Sequence, residues 1–180
     1  TEEKIPFDLE FFNKITKGGL PNKTLNIALA GTGVGKSLFM CHFASSVLLT
    51  GKNVLYITLE MAEERIAERI DSNLLNVNIQ EIEKLPRQMF ESKVSNLAKK
   101  TQGTLIIKEY PTASAHSGHF KSLLNELALK KSFKPDIIFI DYLNICASSR
   151  YKGNLSVNSY SYIKAIAEEL RDRKSTRLNS

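Results

Sequence analysis

The chain has 180 residues, of which 42% are hydrophobic and 24% are charged, and its formal net charge is +6. This composition is typical of one soluble globular domain, no apolar run approaches the roughly 20 residues that cross a bilayer, and two cysteines exclude a disulfide framework. The first residues also lack the basic-then-apolar order of a signal peptide, so we expect a cytoplasmic protein without membrane contact. Residues 171–180 carry about half of the charge excess, so net charge alone does not identify a nucleic-acid-binding surface.

The first thirty residues predict a helix, a turn and a strand. Apolar spacing over residues 7–15 predicts the helix, which is ended by a pair of glycines. Residues 20–23 predict the turn, and the apolar run over 24–30 predicts the first strand of a sheet. We interpret residues 1–22 as a linker helix and turn that lead into the main domain.

A glycine-rich loop follows the first predicted strand. Residues 30–37 read Ala-Gly-Thr-Gly-Val-Gly-Lys-Ser and precede an amphipathic helix over 36–49. Glycines let the backbone wrap around phosphate oxygens, the lysine neutralises the outer phosphates, the serine hydroxyl reaches Mg²⁺, and the helix N-terminus adds partial positive charge. The strict pattern begins with Gly where this chain has Ala30, a small departure because the tight wrap falls on the later glycines. The predicted nucleotide-binding residues are Ala30, Gly31, Thr32, Gly33, Val34, Gly35, Lys36, Ser37 and Leu38.

Strands and helices alternate through the rest of the chain. We predict strands over 54–59, 104–109 and 136–141, helices over 62–74, 78–84, 87–100, 117–131 and 157–171, and a polar loop over 144–157. The alternation predicts an α/β fold with a mainly parallel sheet and helices on both faces. Ligands of such sheets bind at the carboxyl ends of the strands.

Two acidic residues stand at predicted strand ends. Asp141 ends an apolar strand about a hundred residues after the loop, which is how P-loop NTPases present the acid that serves Mg²⁺. An aspartate that caps the next segment is the alternative, which the phosphate loop makes less favoured. Glu60 is the candidate general base for the attacking water, although an ordinary strand-end glutamate fits its spacing equally well. Lys36 and Glu60 are the candidate catalytic residues, and Ser37 and Asp141 the candidate metal ligands.

The polar loop contains a basic pair, Arg150 and Lys152, on either side of a tyrosine. Two cations around a stacking ring can contact a nucleic-acid backbone. A plain solvated loop is at least as compatible with these residues, so both interpretations stay open.

Three stretches together resemble a known family. They are residues 30–37, Tyr-Ile-Thr-Leu-Glu-Met at 56–61, and Ile-Ile-Phe-Ile-Asp-Tyr-Leu at 137–143. In order and spacing they resemble the DnaB-like hexameric replicative helicases, whose phosphate loops often begin with alanine. Residues 13–19 and 122–127 are similar to the branch of this family found in T-even-type bacteriophages. The resemblance covers about residues 5–171.

The resemblance implies a RecA-like ATPase domain that forms a hexameric ring around single-stranded DNA, moves along it 5′ to 3′ and unwinds duplex DNA during replication. ATP and Mg²⁺ would be its cofactors. Lys36 and Ser37 would contact the phosphates and the metal, Glu60 would activate water, and Asp141 would serve the metal. A primase and a helicase loader are further partners that the resemblance implies.

The family carries an upstream domain and linker helix, and further downstream a γ-phosphate-sensing Gln, DNA-binding loops and an arginine finger. We therefore expect residues 23–173 to form a partial RecA-like ATPase domain, incomplete at the C-terminus. Residues 174–180 lose the apolar periodicity and are expected to be a non-native or disordered tail. Alone, this chain is expected to bind Mg-ATP weakly and not to unwind DNA.

Two other functions stay open on sequence grounds. A recombinase of the RecA/RadA type shares the fold, the phosphate loop and the acidic base, but the Leu-Glu-Met and Asp-Tyr-Leu stretches favour the helicase. A non-enzymatic, nucleotide-gated module of replication assembly is the other alternative. The intact set of Lys36, Ser37, Glu60 and Asp141 speaks against it.

Overall fold

The structure is a computed structural model that describes residues 3–22, 24, 26, 35–59, 61–100, 103–110 and 117–141. The helices and strands in these ranges follow one another in an α/β order. They are β1 (Lys4–Ile5), α1 (Glu10–Ile15), β2 (Leu20–Pro21), α2 (Lys36–Leu49), β3 (Val54–Thr58), α3 (Glu63–Leu75), a 3₁₀ helix (Ile79–Lys84), α4 (Arg87–Lys100), β4 (Leu105–Glu109), α5 (Ser117–Lys131) and β5 (Ile137–Asp141).

The main sheet has the strand order β4-β3-β5, and both strand pairs are parallel. Every residue of the central strand β3 is buried, as expected for a parallel strand covered on both faces. Thr58 at the end of β3 stands opposite Glu109 of β4 and Asp141 of β5. The three strands therefore end at one edge of the sheet.

Alternate residues of β3 enter two separate cores. Val54 and Tyr56 pack with α2 and α3 on one face, where Ile66 and Ile70 are fully buried. Leu55 and Ile57 pack on the other face with Leu123 and Leu127 of α5, and with Phe133 beyond it. This period of two is what a pleated strand between two helical layers requires, and it confirms the predicted α/β arrangement.

The N-terminal segment differs from its prediction in two ways. The predicted helix over 7–15 begins only at Glu10, because Phe7 exchanges two hydrogen bonds with the Asn13 side chain and stacks on Phe43 at 4.3 Å. The first two residues of the predicted turn over 20–23 form strand β2, which pairs antiparallel with β1. A two-residue strand is too short to show a hydrophobic period, so pattern analysis missed both strands.

Three other sequence predictions cannot be compared with the structure. The predicted first strand over 24–30 has only residues 24 and 26 described, neither of them in a helix or strand. The predicted loop over 144–157 and helix over 157–171 lie outside the described residues. Within the described ranges, none of the helices combines the length and apolarity that a membrane span needs.

Gly103, which lies shortly before β4, has no room for a side chain. A Cβ atom there would lie 2.2 Å from the Lys52 carbonyl oxygen, a backbone atom that cannot rotate away. We expect Gly103→Ala to lower the free energy of unfolding by about 2 kcal/mol or more, because the chain before β4 must shift. Gly18→Ala is the control, since its Cβ would meet only the Lys4 side chain, at an ordinary contact distance of 4.0 Å, and its strain comes from its φ of +104°. Urea denaturation measures the free energy of unfolding of both variants. A smaller loss for Gly103→Ala than for Gly18→Ala would contradict this packing.

Candidate nucleotide-binding site

Helix α2 begins at Lys36, directly after a residue in the left-handed conformation. Gly35 has φ +84° and ψ +22°, and its carbonyl accepts the first helical hydrogen bond from the Phe39 N–H at 2.9 Å. Only glycine takes this conformation without a steric cost. Gly35 also has no side chain that could cap the helix, and a helix N-terminus of this kind is suited to binding an anion.

The predicted phosphate-binding residues at this helix start are only partly described. Lys36 and Ser37 are half-buried, whereas the Leu38 side chain is 57% exposed. Leu38 can therefore contribute through its backbone N–H rather than by packing. Ala30, Gly31, Thr32, Gly33 and Val34 lie outside the described residues.

Asp141 lies at the carboxyl end of β5, as predicted, and is only 2% exposed. Its Oδ2 accepts a hydrogen bond from the Tyr56 hydroxyl at 2.7 Å. Its Oδ1 is buried and has no hydrogen-bond partner within the described part of the chain. A buried carboxylate oxygen without a partner is costly. The site therefore fits a further polar group, such as a water molecule on a bound metal ion.

The Tyr56 hydroxyl sits between Asp141 and Cys41. Cys41 Sγ lies 3.7 Å from this hydroxyl, and all three residues are buried. Burial, followed by the proximity of Cys41 and Asp141, raises the pKa of Tyr56. The phenol therefore stays neutral and donates a hydrogen bond to the carboxylate. Sequence analysis assigned no role to Tyr56, although a hydroxyl on a fully buried strand signals a buried partner.

This row of contacts connects α2 to the edge of the sheet. Ser37 precedes Cys41 by four residues, so both lie on the same face of α2. The hydrogen bond of Tyr56 then links Cys41 to Asp141 at the end of β5. The helix face that carries Ser37 and Cys41 is thus connected to Asp141 through the contact of Cys41 with Tyr56.

Glu60 itself lies outside the described residues, but its neighbours are held at the same edge. The Leu59 N–H donates to the Asp141 carbonyl oxygen at 2.8 Å. The Thr58 hydroxyl donates to the Met61 carbonyl at 2.7 Å and accepts from the Met61 N–H at 3.1 Å. Both flanks of position 60 are therefore fixed beside the end of β5.

The predicted DNA contacts, Arg150 and Lys152, lie outside the described residues. Their positions relative to Asp141 and α2 are therefore not described. Their role stays a prediction from the sequence.

Comparison with known proteins identifies the family. The model of the DnaB-like helicase C terminal domain matches residues 5–172. The chain belongs to this family. Its fold is RecA-like, in agreement with the parallel sheet and its two helical layers. The resemblance seen in the sequence is confirmed, and the recombinase alternative loses its support.

Two relatives of the chain are named as replicative helicases. The chain is 51% identical over 171 residues to the DnaB-like replicative helicase of Enterobacteria phage T4, which covers 93% of this chain and 36% of that protein. It is 28% identical over 149 residues to a probable plasmid replicative DNA helicase of Chlamydia psittaci, which covers 81% of this chain and 31% of that protein. The chain spans about a third of the length of these curated relatives.

The Cys41 thiol should be unreactive in the folded DnaB-like domain. Burial raises its pKa, and it is fully shielded from solvent. At pH 8 we expect a maleimide to label Cys41 at least about tenfold more slowly in the native protein than in urea, because the thiolate is the reacting form. Peptide mass mapping separates Cys41 from Cys146, and equal rates in both states would contradict the buried position.

Proposed function

We propose that this chain is the ATP-binding motor domain of a replicative DNA helicase, which couples ATP hydrolysis to movement on single-stranded DNA. The observation that carries the proposal is the buried Oδ1 of Asp141, which has no hydrogen-bond partner among the described residues and lies on the carboxylate that Tyr56 links to α2 through Cys41. Membership of the DnaB-like family and the names of the two relatives support it.

The start of α2 would bind the triphosphate. The left-handed turn at Gly35 leads into N–H groups of the first helical turn, where the helix dipole favours negative charge. Lys36 would add a full positive charge beside the outer phosphates. Ser37 and Asp141 would hold Mg²⁺, which neutralises phosphate charge when bound.

Glu60 would serve the hydrolytic step. A carboxylate in this place accepts a proton from water while the water oxygen bonds to the γ-phosphorus and the bond to the β–γ bridging oxygen breaks. The described neighbours Leu59 and Met61 fix the chain on both sides of Glu60. We assign Glu60 as the general base on the sequence motif and on this placement of its neighbours.

The wider assignment follows from the family. Residues 23–173 would be the ATPase domain, preceded by the linker helix and turn over 1–22 and followed by the tail over 174–180. Six copies would form a ring around single-stranded DNA that moves 5′ to 3′, with a primase and a helicase loader as partners. Such a protein acts in the cytoplasm, that of the host cell if a phage encodes it.

Replacement of the proposed base tests the hydrolytic assignment. In the full-length protein, we expect Glu60→Gln to lower DNA-stimulated ATP turnover by about 10²-fold or more while ATP still binds, because a general base contributes to rate rather than to affinity. Glu64→Gln removes a carboxylate from an exposed position on α3 and should retain normal turnover. If Glu60→Gln hydrolyses ATP at the rate of the unmodified protein, Glu60 is not the base.

Two glycines with the same backbone strain test the phosphate-binding role of Gly35. Gly35 and Gly51 flank α2 with φ +84° and +83°. Alanine at either position should cost about 1–2 kcal/mol of unfolding free energy, since left-handed φ is unfavourable for a residue with a Cβ. We expect only Gly35→Ala to weaken Mg-ATP binding, by about tenfold or about 1.4 kcal/mol. Equal ATP affinity of the two variants by titration calorimetry would remove Gly35 from the site.

A further inference from the structure

Asp141 receives its one described side-chain hydrogen bond from Tyr56. The phenol hydroxyl donates to Oδ2 at 2.7 Å, and Tyr56 is fully buried. Within the described ranges, Oδ1 has no partner. The two oxygens of one carboxylate therefore differ in role, one fixed by the protein and the other open to a ligand.

The ring of Tyr56 is held so that its hydroxyl cannot turn away. It stacks on Phe139 with the ring planes 17° apart and the centroids 5.7 Å apart. The Cys41 thiol closes the far side of the hydroxyl at 3.7 Å. Because β3 and β5 are aligned residue by residue, Tyr56 stands opposite Phe139, one pleat before Asp141. The sheet itself thus sets the direction from which the hydroxyl approaches the carboxylate.

If Tyr56 and Asp141 had only a structural role, we would not expect one carboxylate oxygen to be left without a partner. A buried tyrosine hydroxyl needs an acceptor, and an aspartate can supply one. However, burial of an aspartate only for that purpose leaves the second oxygen without a partner, at a cost that a single backbone carbonyl acceptor would avoid. The difference between the two oxygens of Asp141 is explained if Oδ1 binds a ligand of the functional site.

We propose that Tyr56 is a positioning residue of the magnesium site, and that its hydroxyl fixes Oδ2 of Asp141 so that Oδ1 faces the water shell of the metal. This inference rests on the proposed nucleotide-binding function. Outer partners that orient a metal-binding group are a general way to set metal affinity. Tyr56 touches neither nucleotide nor metal and acts only through Asp141.

The experiment measures how Mg²⁺ changes nucleotide binding in the full-length protein. A fluorescent ATP analogue is titrated in EDTA and over a series of Mg²⁺ concentrations. Tyr56→Phe keeps the ring on Phe139 and removes only the hydroxyl. For Tyr56→Phe we expect unchanged binding of the analogue in EDTA. The Mg²⁺ midpoint, which is the Mg²⁺ concentration that gives half of the effect of Mg²⁺ on analogue binding, should rise by roughly tenfold. An unchanged midpoint would overturn the proposal.

Ser45→Ala is the matched control for loss of a buried hydroxyl. Ser45 lies on the same helix as Cys41, and its hydroxyl donates to the Cys41 carbonyl rather than to Asp141. We expect the Mg²⁺ midpoint of Ser45→Ala to stay at that of the unmodified protein. If Ser45→Ala raises it as much as Tyr56→Phe does, a general loss of core packing explains the effect and the positioning role is rejected.

A double variant separates action through Asp141 from simple destabilisation. In an Asp141→Asn background, Tyr56→Phe should leave the Mg²⁺ midpoint where Asp141→Asn alone puts it, because both changes remove the same contribution. A further shift on adding Tyr56→Phe would overturn the proposed route. Thermal unfolding of each variant shows which changes are folded at the assay temperature.

Lys36→Ala distinguishes this inference from the proposed function. Loss of analogue binding in EDTA on Lys36→Ala, with an unmoved midpoint for Tyr56→Phe, would reject the role of Tyr56 and leave the nucleotide site intact. Equal binding by Lys36→Ala and the unmodified protein would reject the nucleotide site, and the role of Tyr56 with it.

Discussion

The parallel register of β3 with β5 is the constraint on which the candidate site depends. It places Thr58 opposite Asp141, and Tyr56 one pleat earlier on the same face. A shift of one residue would turn the Asp141 side chain to the α5 face and remove its contact with Tyr56. The register is fixed because β3 packs against a different core on each face, so a slipped strand would exchange the side chains that fill the two cores and disrupt the packing of both.

The polar pair in the core follows from the same geometry. Both Tyr56 and Asp141 point to the layer formed by α2 and α3, where aromatic and aliphatic side chains exclude water. In such surroundings a hydrogen bond to a charged oxygen is strong, and an unpaired charged oxygen is correspondingly costly. Among the described residues Oδ1 of Asp141 has no partner, and the ligand that we propose would supply one. This is the usual relation between function and folding at a binding site.

Sequence reasoning succeeded where a long period or a motif constrained the chain. Helices α2, α3 and α5 and strands β3, β4 and β5 lie within a residue or two of their predicted bounds, because each has a clear apolar pattern and polar flanks. The position of Asp141 at a strand end was predicted for the same reason. The hydrogen bond from Tyr56 to Asp141 was not predicted, since it joins residues 85 apart in sequence and depends on the strand order. The β1–β2 pair was missed because its strands have two residues each.

Helix α2 explains why the start of the candidate site is a rigid element. Three successive residues near its middle make contacts in different directions: Cys41 with Tyr56 of the sheet, His42 with Asp8 at 2.5 Å, and Phe43 with Phe7. A helix fixed on three sides cannot roll or slide without breaking one of these contacts. Backbone hydrogen bonds transmit this rigidity along the helix. The backbone of Lys36, the first residue of α2, is therefore held in a fixed position. The N-terminal segment, remote in sequence from the sheet edge, therefore helps to hold the helix at whose start we propose that phosphate binds.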